Sequence, residues 1–172
     1  MNLPQLQYIV MRQASEKSWG TTPTDIIVSE KIALLHSELS EAYAAYLSGN
    51  IYGKDGFHEE IGDTLTRALH LAGIFGMNVG DMNIEDGGKD SDTSSMDTHA
   101  MIAKLHILIS QVWEHYRKNR MDEFKVQLRE LAHAIALVAE DQNIPLEEAI
   151  HKKLEMNKER VWKNTGMNEK FA

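Results

Sequence analysis

The chain has 172 residues, about one domain on the usual scale of roughly 100 to 200 residues each, and 42% hydrophobic with 26% charged residues is a globular composition. The formal net charge of −8 argues against a protein that grips a nucleic acid polymer by neutralising its phosphates. A small phosphate ligand would need a cation in between or a local basic patch. The lack of cysteine excludes disulfides, thiolate metal sites and a thiol nucleophile. Neither a leader-like start nor an apolar run of about 18 residues is present, so the expectation is a cytoplasmic protein with no membrane partner.

Hydrophobic periodicity is helical throughout. Leu3, Leu6, Ile9 and Val10 mark a first helix that ends by Gly20. Thr22, Pro23 and Asp25 form a start signal of capping hydroxyl, proline and acid, which predicts a second helix from there to about Ser48, stopped by Gly49 and Asn50. Asp55 is placed to cap a third helix over about 56–75, closed by Gly76. Residues 81–97 have linker composition, rich in Asp, Gly and Ser, and are expected to be mobile. Three more helices follow, over about 98–119, 122–142 and 145–163, and Gly166 closes the last. No alternating run long enough for a strand is present.

Shifting the chain by 70 positions lays Ile32, Ala33, Leu35, His36, Ser40 and Tyr46 on identical residues at 102, 103, 105, 106, 110 and 116. The same shift, without a gap, puts Glu60 on Glu130, Ile61 on Leu131 and Leu65 on Ile135. Such self-similarity reads as an internal duplication. A carboxylate-bearing repeat over about 22–80 and a degenerate repeat over about 98–166 would pack as one all-α bundle spanning the chain, a single domain.

The residues that carry chemistry are Glu38, Glu41, Glu60 and Asp63. On a helical wheel Glu38 falls inside the apolar arc between Leu34 and Ala42, and Glu41 falls at its edge. Glu60 and Asp63 repeat the three-residue spacing on the flank of the next apolar stripe. An unpaired carboxylate removed from water costs several kcal/mol or protonates, so an acid in a core stripe implies a partner. One explanation is ordinary helical pairing, such as Asp63 with Arg67 four residues on. The other is a shared cation, for which hard oxygen donors suit Mg²⁺ or Mn²⁺. In the second repeat Leu108, Gln111 and His133 stand where the first has Glu38, Glu41 and Asp63, as expected of a copy that no longer holds a cation.

The pattern Glu-x-x-Glu, an 18-residue spacer from Ala42 to Glu59, then Glu-x-x-Asp, in the settings SELSEAYAAY and HEEIGDTLTRALHLAG, resembles the MazG-like all-α nucleoside triphosphate pyrophosphohydrolases. That superfamily includes dimeric dUTPases, dCTP pyrophosphatases and phosphoribosyl-ATP pyrophosphohydrolases. The segment LEEAIHKKLEMNKER resembles the end of that fold. The resemblance implies that Glu38, Glu41, Glu60 and Asp63 hold Mg²⁺ and that one glutamate, Glu38 or Glu41, takes the proton from the attacking water. It also implies that Lys153, Asn157 and Arg160 contribute to nucleotide binding. The implied reaction cleaves an NTP or dNTP between the α and β phosphates, giving a nucleoside monophosphate and pyrophosphate. The implied assembly is a pseudodimer complete in one chain, or a homodimer of it.

Lys31, seven residues before Glu38, would touch a phosphate, neutralise Glu38 or snorkel to solvent. Trp19, Trp113 and Trp162 would stack on a base or pack in the core. His36, His106 and the other histidines read as packing residues. Two further readings stand beside the hydrolase. A di-iron carboxylate bundle would use Glu130-x-x-His133, and a non-catalytic nucleotide-binding or regulatory protein would keep the fold without turnover.

Overall fold

A computed structural model describes residues 2–80 and 96–159. Arg160, Trp162, Gly166 and all of the expected linker except Met96 and Asp97 therefore lie outside the described residues. The described chain is all-helical. Six helices follow one another as α1 (Leu3–Glu16), α2 (Val28–Leu47), α3 (Phe57–Ile74), α4 (Thr98–Arg117), α5 (Met121–Asp141) and α6 (Leu146–Glu159), with a single 3-10 turn at Pro23–Asp25. No described helix is long and apolar enough to cross a membrane.

The second helix starts later than its sequence signal. Thr22 and Asp25 do form a capping box, but Asp25 Oδ2 turns back to accept from the amides of Thr21 and Thr22 at 3.0 and 2.9 Å. Ile26 is then extended, and α2 begins at Val28. The acid expected to start the helix closes a separate turn instead. Asp55 likewise does not cap α3. Gly56 is the N-cap residue, and Asp55 occupies the left-handed region at φ 52, its amide donating to Glu59 Oε2 at 2.9 Å. Asp97 does cap α4, its Oδ1 accepting from Ala100 N at 2.8 Å.

The helices pack as two hairpins, α2 with α3 and α4 with α5, joined by α2 against α4 and α3 against α5. One continuous apolar cluster runs through all six helices. The correspondence at a shift of 70 is visible in the packing. α2 and α4 are both twenty residues long and start and end seventy positions apart. Val28, Ile32, Leu35, Glu38, Leu39 and Ala42 are buried, as are Thr98, Ile102, Leu105, Leu108, Ile109 and Val112 at the matching places. Gly49 and Asn119, also 70 apart, carry the positive φ values that end the two helices. Ser40 and Ser110 hydroxyls donate to the carbonyls of His36 and His106 at 2.7 and 2.9 Å.

α3 is the central element. It packs against α1, α2, α5 and α6, and thirteen of its eighteen residues are buried, where the sequence predicts one stripe. Helix α1 is tied down through buried glutamines. Gln7 Nε2 donates to Met77 O at 2.8 Å and Gln13 Nε2 to Leu154 O at 2.5 Å, which locks α1 to the end of α3 and to α6. The covering helices α1 and α6 convert the flank of α3, where Glu60 and Asp63 lie, into interior.

Candidate metal centre

Glu38 from the middle of α2 and Glu60 and Asp63 from the first turns of α3 are all buried, at 9%, 3% and 6% exposure. Each offers one carboxylate oxygen to a common space, and those oxygens lie within 4.8 Å of one another. The α2–α3 packing brings them together because Glu38 stands in the apolar arc that faces α3. The second hairpin puts Leu108 at the equivalent buried place.

The three acids are neutralised unequally. Arg67, one turn after Asp63 on α3, reaches across to α2 instead of pairing locally. Its Nε and Nη2 both donate to Glu38 Oε1, at 3.0 and 2.8 Å. Asp63 Oδ2 pairs with Lys153 from α6. Glu60 Oε2 is fully buried and finds no hydrogen-bond partner among the described residues. Burial, reinforced by the negative charges of Asp63 and Glu38, pushes the Glu60 carboxyl up to about 8. Burial also raises Asp63, to about 6, against the opposing pull of Lys153. Burial by itself favours the neutral amine of Lys153, but its bond to Asp63 and the nearby Glu60 and Glu38 outweigh this and hold it above the ordinary range.

These groups line one cavity of about 450 Å³. Glu41 lies on its wall at an exposed position, Oε1 accepting from Ser37 Oγ at 3.1 Å. It is therefore a rim residue outside the close trio. Lys31 and Asn157 also line the cavity, and Asn157 is buried at 8% exposure. Lys31 neither neutralises Glu38 nor snorkels freely. Its Nζ donates to Trp19 O at 3.1 Å, and burial, with Arg67 close by, lowers its pKa. Trp19 forms part of the wall with Val10 and Leu34, whereas Trp113 stacks on Tyr116 with ring centroids 6.1 Å apart and is a packing residue.

Three lining residues are not recognisable in the sequence as part of the site. Linear spacing assigns Arg67 to a local pair with Asp63, Asp55 to a helix cap, and His70 to packing. His70 Nε2 donates to Gly20 O at 2.9 Å, and burial pushes the ring down to about 4. With Lys31 on Trp19 O, His70 fixes the segment between α1 and the 3-10 turn against the cavity. Both anchors project from the helices that bear the acids, a relationship that a linear pattern does not contain.

The residues fit a hard divalent cation. The donor set is all carboxylate oxygen, the three acids converge within 4.8 Å, and the buried Glu60 oxygen lacks the partner that a group so placed otherwise has. Glu130 and His133 are not part of this cluster, and His133 Nε2 donates to Val79 O at 2.9 Å. No family model matches the chain, and no curated protein or solved structure matches it either.

Proposed function

We propose that this cavity is the active site of a Mg²⁺- or Mn²⁺-dependent nucleoside triphosphate pyrophosphohydrolase of the MazG-like kind, built on a duplicated helical hairpin of which the first copy keeps the acids. The observation that carries the reading is the Glu38, Glu60 and Asp63 trio with its buried, unpartnered Glu60 oxygen. The duplication is supported by the matched lengths, ends and buried positions of α2 and α4.

Glu38, Glu60 and Asp63 would hold the cation, with Glu41 at the rim available to a second ion or to water. A bound divalent cation offsets polyphosphate charge and polarises the phosphoryl oxygens. The remaining tasks fall to this chain's residues. Lys31, Lys153 and Asn157 face the same cavity and supply donors for phosphate oxygens. Trp19, Val10 and Leu34 provide an apolar wall suited to a base or sugar. In the reaction, water supplies the new P–O bond and the α–β bridging P–O bond breaks. The water's proton passes to a carboxylate, Glu41 or Glu38, and pyrophosphate leaves.

Incubation of the protein with Mg²⁺ and a panel of canonical and modified NTPs and dNTPs, followed by pyrophosphate measurement, tests this. Release from at least one of them, abolished in Glu38→Gln, is expected. No release from any, or equal release from the variant, would sink the reading. A non-catalytic nucleotide-binding protein is the second reading. It is favoured by one observation, that Lys153 and Arg67 already occupy two of the three acids. Nucleotide binding without turnover in the same panel would select it.

A further inference from the structure

We propose that Arg67 is a further polyphosphate-binding residue, one that exchanges its Glu38 partner for phosphate oxygens when a divalent cation is bound by the carboxylates. The inference rests on the cation and phosphate reading above and adds to it a residue and an exchange.

Both Arg67 donors end on one oxygen, Glu38 Oε1. The pair is only partly withdrawn from water, with the Arg67 side chain at 35% exposure and Glu38 at 12%. Arg67 also lines the cavity, so its guanidinium borders the open volume as well as the carboxylate. A divalent cation on Glu38, Glu60 and Asp63 would draw Glu38's charge away from the guanidinium and place a second positive charge near it. Both effects weaken the present pair.

The second observation concerns Lys31. It lies close enough to Arg67 for the guanidinium to disfavour its protonated form, and its ammonium is bonded to a neutral carbonyl, Trp19 O. Two cations kept close in one cavity, one on a neutral acceptor and one on an acid that a metal would claim, form a receptor for an anion with several oxygens. A guanidinium fork suits phosphate oxygens better than an ammonium does, because its donors lie in a plane at fixed spacing. Tripolyphosphate has the shared chemistry and carries no base.

The measurement uses the whole chain and two probes. Mn²⁺ affinity is read by electron paramagnetic resonance without any anion, and inorganic tripolyphosphate affinity by calorimetry at saturating Mg²⁺. Arg67→Gln removes a resident positive charge and a phosphate ligand together. Mn²⁺ should then bind about two- to fivefold more tightly, and tripolyphosphate about tenfold or more weakly. A residue that merely orients Glu38 would weaken Mn²⁺ as well, so loss of both affinities overturns the proposal, as does unchanged tripolyphosphate binding. Should Arg67→Gln fail to fold by circular dichroism, Arg67→Lys carries the test, because it keeps the charge but cannot fork onto one carboxylate oxygen. With the charge kept and the fork lost, Mn²⁺ affinity within about twofold of wild type and tripolyphosphate bound about threefold or more weakly support the exchange, whereas undiminished tripolyphosphate binding or loss of Mn²⁺ affinity overturns it. Wild-type protein that binds both probes in this way yet releases no pyrophosphate from any nucleotide would separate failure of the hydrolase reading from failure of the exchange.

Discussion

His36 on α2 and His106 on α4 meet Nδ1 to Nδ1 at 2.7 Å, their rings stacked with 12° between planes. The two residues are seventy positions apart and occupy equivalent places in their helices. Contact between matched positions is what the proposed duplication would produce if the two hairpins were related by a two-fold axis. One ring must donate and the other accept, so the pair holds a single shared proton.

That pair predicts acid sensitivity. Burial lowers both histidines, His36 further through its neighbour. Groups whose folded value lies below the unfolded 6.5 contribute stability that is present above that pH and lost as pH falls towards the folded value. His70, lowered to about 4, extends the window downward. The histidines' share of the urea midpoint, read as wild type minus variant, should therefore drop between about pH 6.5 and pH 4, against the opposite trend of Glu60 and Asp63. The His36→Leu/His106→Leu double variant should flatten part of the drop, and an unchanged slope would refute the shared-proton account.

Glu60 acts with the opposite sign. Its carboxyl is raised from 4.5 to about 8, so the metal-free protein loses stability as pH rises through that interval, when the unfolded state has already ionised. Every tenfold change in the proton's affinity for the carboxylate corresponds to about 1.4 kcal/mol. Metal-free Glu60→Gln should be more stable than wild type at pH 8 by about 2 kcal/mol or more, since the amide carries no charge to bury. Chemical denaturation in the presence of a chelator measures this, and equal stabilities would remove Glu60 from the buried acids.

Cation binding should release a proton. Near pH 7 Glu60 is largely protonated without a cation, and a ligand carboxylate must ionise. Calorimetric Mn²⁺ titrations in buffers of different ionisation enthalpy should show about one proton released at pH 7 and far less above pH 9. The melting temperature should rise with Mn²⁺ concentration. Glu60→Gln should lose both effects.

The second hairpin suggests a substitution that separates function from stability. It carries Leu108 where the first carries Glu38, and both places are buried. Glu38→Leu alone strands Arg67 and should cost stability. Glu38→Leu/Arg67→Met should be more stable than Glu38→Leu alone and close to wild type, because it removes the stranded guanidinium together with the half-buried pair. It should also lose Mn²⁺-dependent stabilisation. Urea unfolding with and without Mn²⁺ separates the two effects.

Glu38 can be singled out in the sequence because a charge in an apolar arc conflicts with its neighbours, and such a conflict survives without coordinates. The seventy-residue shift is legible for a similar reason, since α2 and α4 repeat small and polar residues as well as apolar ones. Arg67 is not legible. The four-residue rule pairs it with Asp63 on its own helix, and only the closeness of α2 sends it to Glu38. The depth of Glu60 and Asp63 is only partly legible, because a helical wheel shows one helix and not the α1 and α6 that cover its flank. Asp55 reaches the cavity through a left-handed backbone that its letter permits but does not announce.

Because α3 carries two of the three acids and has four helices packed around it, the candidate cation site is built largely on the central helix. Its amides should exchange with deuterium only when the whole chain opens. A cation that grips Glu60 and Asp63 would thus act as a rivet through the centre of the protein, and damage far along α3 should register as weakened cation binding before it registers as a changed shape.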